Sequence, residues 1–342
     1  MKKIWLLCCI LLMVFLMTGC ASILEKYNEP VDPSDETAIV MTVPKGASTT
    51  TIANLLYEQN LIQNVNAFKA KVKVLEMDGK MQAGDYQLTK AMSAEAIIEK
   101  LVSGDVYIET SKFTIPEGYE VRQIISLLSE EGLVDADRFR EVLQNTPFEY
   151  RFLEGVDRAY LLEGYLFPDT YIVKKGASEE DIVRKMLDRF NDVFVDAYYD
   201  RAEELSMSVD QVVTLASIIE RETKREDELS LVSSVFHNRI DIDMKLQSCA
   251  TIQFVLQERK ERLTYDDLEI VSPFNTYQHS GLTPAPIASP GAKAIEAALY
   301  PADSSYLYFV TTNKGDGSHY FNTTLDGHNA DSLKGKANAN GS

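Results

Sequence analysis

The sequence is short of cysteine, histidine and positive charge, and each shortage removes a class of function. It has 4 cysteines in 342 residues, and Cys8, Cys9 and Cys20 all lie within or beside an apolar N-terminal run. With Cys20 taken up at the N-terminus, Cys249 is left alone in the folded part and an internal disulfide is excluded. Cys249 then reads as a small, buried apolar side chain, the sharper alternative being a catalytic thiol. The 4 histidines, His237, His279, His319 and His328, show no ligand-spaced pair and none stands in His-Glu-x-x-His, so no metal and no cofactor is expected. Lys and Arg number 34 against 52 Asp and Glu, a formal charge of −18. A surface of that sign repels polyanions, and phosphate binding needs clustered cations, so no nucleic acid is expected as a partner.

What is present begins with an address. Met1-Lys2-Lys3 is basic, and Ile4 to Met17 is an unbroken apolar run. Met17-Thr18-Gly19-Cys20-Ala21 follows and resembles a bacterial lipobox, with Met17 where Leu is usual; it implies cleavage before Cys20 and lipidation of its thiol. The alternative is an uncleaved helix from Ile4 to Leu24, since ~20 apolar residues span a bilayer and Lys2 and Lys3 would hold its start inside. Either anchor, within residues 1–20, leaves the chain on the extracytoplasmic face of the cell membrane. Residues 21–37 read as a linker, because Glu25 to Glu36 is polar and Pro30 and Pro33 keep it extended.

The remainder, 45% hydrophobic and 25% charged overall, has the composition of a folded protein long enough for two domains. An internal repeat runs through it. Met41-Thr42-Val43-Pro44-Lys45-Gly46, followed by Ile52, Leu55, Leu56, Leu61 and Ile62, returns as Phe113-Thr114-Ile115-Pro116-Glu117-Gly118 with Ile124, Leu127, Leu128, Leu133 and Val134. Each copy predicts a strand stopped by Pro-x-Gly and then an amphipathic helix. Further elements are expected at Val65–Leu75 (helix), Gly84–Leu88 (strand) and Ser93–Leu101 (helix). Residues 38–108 thus form a small module that suits carbohydrate binding or serves as a spacer. From 109 to 333, strands and helices mix without regular alternation, which predicts an α+β domain. The tail 334–342 is small and polar and reads as flexible.

The most informative helix starts at Ser208, with Gln211 completing a capping box, and runs from Val209 to about Lys224. Val212, Val213, Leu215, Ala216, Ile218 and Ile219 spread around its circumference, so it is buried on most sides. Glu220 and Glu222 follow. Burial disfavours a charged carboxylate and lifts its pKa toward the range of a general acid, but periodicity does not choose between the two. As ordinary helix-end carboxylates they would pair with Arg221, Lys224 or Arg225.

Several loops carry groups suited to a sugar. Leu161 to Tyr171 offers Glu163, Tyr165 and Asp169 among aromatics, glycine and proline, and aromatic faces stack on pyranose rings. Asn238, Arg239, Gln247, Ser272, Asn275, Thr276, Tyr277 and His319 add amide, hydroxyl and other polar groups for an uncharged ligand.

In order, Gly281-Leu282-Thr283-Pro284-Ala285-Pro286-Ile287, Ala297 to Pro301, Tyr306 to Val310 and His319-Tyr320-Phe321 complete the series, and the chain resembles the endolytic murein transglycosylase (YceG-like) family from about Ala38 to Leu333. In that family the Glu of Ala-Ser-Ile-x-Glu-x-Glu-Thr is catalytic, and the matching run is Ala216-Ser217-Ile218-Ile219-Glu220-Arg221-Glu222-Thr223. The resemblance implies Glu220 as acid and base, Glu222 among the substrate contacts, and a LysM-like glycan-binding module before the catalytic domain. It also implies lytic cleavage of peptidoglycan between N-acetylmuramic acid and N-acetylglucosamine, leaving 1,6-anhydro ends, near the peptidoglycan synthesis machinery. One departure stands out: the family's Gln-(Ser/Thr)-Asp-Pro-Thr is Gln247-Ser248-Cys249-Ala250-Thr251 here. Two other readings fit the residues: a hydrolase with Glu163 or Asp169 as second carboxylate, and a glycan-binding lipoprotein without activity.

Overall fold

The computed structural model describes residues 25–260 and 262–341. The apolar leader and Cys20 lie outside them. Contacts divide the chain after Glu109 into two units.

In the first unit, Ile39–Val43 (β1) pairs antiparallel with Gly84–Leu88 (β2), Met41 opposite Tyr86. Alternation turns Met41, Val43, Tyr86 and Leu88 inward. Thr49–Glu58 (α1), Val65–Val74 (α2) and Ala94–Ser103 (α3) cover that face with Ile52, Leu56, Phe68, Val72, Ile97 and Leu101. Each such side chain contributes roughly 1.5–3 kcal/mol by leaving water. Ser48, Asn64 and Ser93 start the three helices, their side chains accepting the N–H of Thr51, Ala67 and Ala96.

The stretch expected to be a free linker is bound to this unit from Asn28 onward. Asn28 Oδ1 accepts the Glu95 N–H at 2.9 Å, Asp32 N–H donates to Lys90 O at 3.1 Å, and Asp35 pairs with Lys90 at 2.8 Å. The polarity that reads as solvation is spent on turns and on capping α3.

The second unit opens with the same element order. Thr110–Thr114 (β3), Val121–Glu130 (α4), Ala136–Asn145 (α5), Thr170–Lys174 (β4) and Glu179–Val193 (α6) repeat strand, two helices, strand, helix. Phe113 faces Tyr171 as Met41 faces Tyr86. Both tyrosines donate to the carbonyl four residues back, Tyr86 to Gln82 at 2.9 Å and Tyr171 to Phe167 at 2.5 Å. Ser178 caps α6 as Ser93 caps α3. The repeat legible as one strand-turn-helix therefore extends over five elements.

The rest is mostly helical: Asp196–Glu204 (α7), Val209–Glu222 (α8), Leu229–Asp241 (α9), Cys249–Leu256 (α10), Tyr265–Leu268 (α11) and Ala292–Leu299 (α12). A hairpin of Tyr308–Thr311 (β5) and His319–Asn322 (β6) precedes Leu325–Gly341 (α13). The described residues thus make a mixed α+β fold with three two-stranded antiparallel sheets. The tail expected to be flexible from Lys334 is helical through Gly341. It is held just beyond the end of β5, where Asn338 Nδ2 donates to Thr312 O at 2.7 Å and Asn313 Nδ2 to Gly335 O at 3.2 Å. No described helix is long and apolar enough to cross a membrane.

Candidate active site

Helix α8 runs through the core of the second unit. Its Ser208 cap and Gln211 form the expected capping box, and Val212 to Ile219 are all buried. Two contacts fix its position. Gly164, at φ +89°, lies against it so closely that a Cβ would meet Pro286 Cγ at 2.7 Å and Val213 Cγ1 at 3.0 Å. Ser217 Oγ accepts the Ile287 N–H at 2.9 Å, pinning the Pro284–Ile287 loop to the helix. That loop leads to Ser289, which exchanges backbone bonds with the second Pro-x-Gly turn: Gly118 N–H to Ser289 O at 2.8 Å and Ser289 N–H to Tyr119 O at 2.7 Å. The turn, the start of α12 and the end of α8 meet there.

Glu220 is at that meeting point, half-buried, in a cleft of about 550 Å³ lined also by Glu117, Gly118, Arg221, Lys224, Arg259 and Lys293. Its Oε2 accepts the Gly291 N–H at 3.0 Å. Oε1 has no hydrogen bond among the described residues, so one carboxylate oxygen is anchored and the other available. Burial pushes the Glu220 carboxyl up to about 7, with Glu117 acting in the same direction and the Gly291 N–H and Arg221 against it. Arg221 turns to Glu120, at 3.0 Å, and both side chains are buried; Arg221 Nη2 has no hydrogen-bond partner among the described residues.

Glu222 is half-buried and fixed differently. Its Oε1 accepts the Ser248 hydroxyl and, at 3.4 Å, the Ala250 N–H. Burial raises its pKa, while Ser248, Ala250, His319 and Arg221 lower it. Glu222 lines the Glu220 cleft and also a second hollow of about 450 Å³ with Arg239, Gln247, Cys249, Tyr277, Tyr308 and His319. Five of the residues expected at the site, Glu222, Arg239, Gln247, Tyr277 and His319, therefore come together. Within that hollow Arg239 is braced by Leu307 O at 2.6 Å and Leu246 O at 2.7 Å, and His319 Nδ1 bonds Glu228 at 2.7 Å.

Other expected residues serve the scaffold. Tyr165 is fully buried, its hydroxyl donating to Asp210 at 2.6 Å and its ring beside Phe152 and Phe190. Asp169 accepts from Arg189 at 2.6 Å and from the Thr170 N–H. Glu163 is buried and takes the Val121 N–H, at 3.0 Å, between its two oxygens, capping α4. Burial pushes its carboxyl up to about 8. Neither Glu163 nor Asp169 lines the Glu220 cleft. Asn238 donates to Ser304 O and Tyr306 O, Asn275 to Leu268 O and Ile270 O, and Thr276 accepts the Ser248 N–H. Ser272 lies with Glu163 in a separate hollow.

Cys249 is exposed rather than buried, because it occupies the first position of α10, with Sγ at 3.1 Å from Tyr277 Oη. Sequence reasoning missed Glu117 and Gly291. The only signal for either is the Pro116-Glu117-Gly118 turn, which reads as a structural repeat.

An anchored, half-buried carboxyl pushed up to about 7, with one oxygen open to a polar cleft, has what a general acid and base needs. The chain belongs to the YceG-like family, which matches residues 41–334. It is 35% identical over 313 residues to the endolytic murein transglycosylase of Bacillus subtilis, covering 88% of this chain and 86% of that one. The endolytic murein transglycosylase of Streptococcus pneumoniae is 28% identical over 327 residues, 87% of this chain and 58% of that longer one. A crystal structure of a YceG-like protein from Listeria monocytogenes superposes with a TM-score of 0.57 at 33% identity, covering 86% of this chain and 99% of that one.

Proposed function

We propose that the chain is an endolytic lytic transglycosylase of peptidoglycan with Glu220 as its single acid and base. The observation that carries the reading is the Glu220 carboxyl itself, tied to the Gly291 N–H through one oxygen and raised to about 7 by burial. Protonated Glu220 gives its proton to the glycosidic oxygen as the bond from C1 of N-acetylmuramic acid breaks, and the muramic N-acetyl group stabilises the developing cation. The Glu220 carboxylate then takes the proton of the C6 hydroxyl as O6 closes on C1. The proton returns to Glu220, no water is consumed, and the product carries a 1,6-anhydro end. The two-carboxylate hydrolase loses support where it was expected, since Glu163 and Asp169 are committed to Val121 and Arg189.

The second hollow supports contacts to the sugars beyond the cut, with Tyr277 and His319 as ring and hydrogen-bonding surfaces and Gln247 as an amide. We assign the first unit to glycan binding as a LysM-like module, and residues 1–20 to membrane anchoring through lipidated Cys20 or a spanning helix. An enzyme so held acts on nascent strands beside the synthesis machinery and limits their length.

Glu220→Gln and Glu222→Gln in the full chain, incubated with purified sacculi, test the assignment. Glu220→Gln is expected to abolish release of soluble fragments with the fold retained and the thermal melt no lower, while Glu222→Gln retains measurable turnover. The opposite pattern moves the acid to Glu222.

A further inference from the structure

The repeat brings into the cleft a residue type that its first copy lacks. Pro44-Lys45-Gly46 and Pro116-Glu117-Gly118 occupy the same station between strand and helix, and their glycines share the left-handed conformation, φ +76° and +70°. Proline and glycine fix such a turn and leave the residue between them free of the fold's demands. In the first copy that residue is Lys45, which is exposed. In the second it is Glu117, and the chain has made room for it. A Cβ on Gly291 would fall far inside van der Waals contact with Glu117 Oε1. Gly291 has φ −73°, which any residue adopts, so what a side chain there would disturb is the seat of the Glu117 carboxyl and not the backbone. One glycine thus serves two carboxyls: Glu220 on its N–H and Glu117 against its Cα.

We infer that Glu117 is a positioning residue for the acid: its carboxylate, seated against Gly291, keeps the proton on Glu220 and extends catalysis to higher pH. This rests on Glu220 being the acid. A like charge nearby disfavours a second carboxylate, and the effect is moderate because Glu117 is exposed. Among the described residues, the other charged groups lining the Glu220 cleft are Arg221, Glu222, Lys224 and Glu226 on or just after α8, Lys293 on α12, and Arg259 after α10. Glu226 pairs with Lys293, and Arg221 with Glu120. Removing Glu117 therefore leaves Glu220 in a more positive setting, which eases loss of its proton.

The test is the pH–rate profile of strand cleavage by the full chain and by Glu117→Gln, Gly291→Ala and Glu220→Gln. Gly291→Ala keeps the N–H that holds Glu220 but displaces the end of the flexible Glu117 side chain, so it reports independently if Glu117→Gln folds poorly. Both variants should move the alkaline limb down by roughly 0.5–1 unit, so that the rate falls about three- to tenfold more above that limb than on the acid side. An unmoved limb in both, or equal loss at every pH in folded protein, overturns the inference. Activity in Glu220→Gln instead overturns the assignment of the acid.

Discussion

The Ser217 hydroxyl accepts the Ile287 N–H at 2.9 Å while donating to Thr214 O at 2.7 Å, and it is fully buried. Through that bond the loop carrying Ser289 and Gly291 is tied to the helix carrying Glu220. Ser217→Ala leaves the Ile287 N–H without a partner, at a cost of roughly 1–3 kcal/mol. Denaturant unfolding should show that loss, together with a fall in turnover, because the Gly291 N–H is no longer held on Glu220.

Gly164 fixes the same helix from another side. Gly164→Ala is disfavoured twice, by φ +89° and by the closeness of Pro286 and Val213. A loss of at least about 2 kcal/mol is expected, measured as a lower Tm with the same product chemistry in the folded fraction.

Glu163 provides a pH signature of stability. Its carboxyl is pushed up to about 8 in the folded chain from an ordinary value of 4.5. A raised carboxyl binds its proton more tightly folded than unfolded, so its contribution is complete below about 4.5 and is lost as pH rises to about 8. The slope approaches about 1.4 kcal/mol per pH unit within that window. Glu163→Gln should flatten it in unfolding measurements between pH 5 and 8; an identical slope in the variant rejects the buried, protonated carboxyl.

These residues also show what the sequence makes legible. The helix from Val209 to Glu222 is readable because its cap and apolar positions are local facts, and the strand-turn-helix repeat is readable for the same reason. Glu220 and Glu222 are not separable by periodicity, since both follow the same apolar run. Their neighbours differ only through distant segments, Glu117 and Gly291 in one case and Ser248 in the other. The segment from Leu161 to Tyr171 looks like a cleft because it is aromatic and carries carboxylates, yet most of its side chains are buried and none lines the Glu220 cleft. Tyr165 finds its acceptor in Asp210 and Glu163 its donor in Val121, partners that no local pattern announces. Glu117 is hidden for the converse reason, a functional residue inside a pattern that looks wholly structural.

The acid itself sets the pH dependence of turnover. Glu220 must carry its proton when the strand binds, and with a pKa of about 7 it is protonated below that pH and loses the proton above it. Turnover should therefore fall as pH rises through about 7, roughly tenfold per unit beyond it. A flat profile from pH 6 to 9 contradicts the assignment.

The most direct measurement is mass spectrometry of the ends produced when the full chain cleaves purified glycan strands. The account predicts 1,6-anhydro-N-acetylmuramic acid at every new end, with none formed by Glu220→Gln. Reducing ends, or anhydro ends made undiminished by Glu220→Gln, would contradict it.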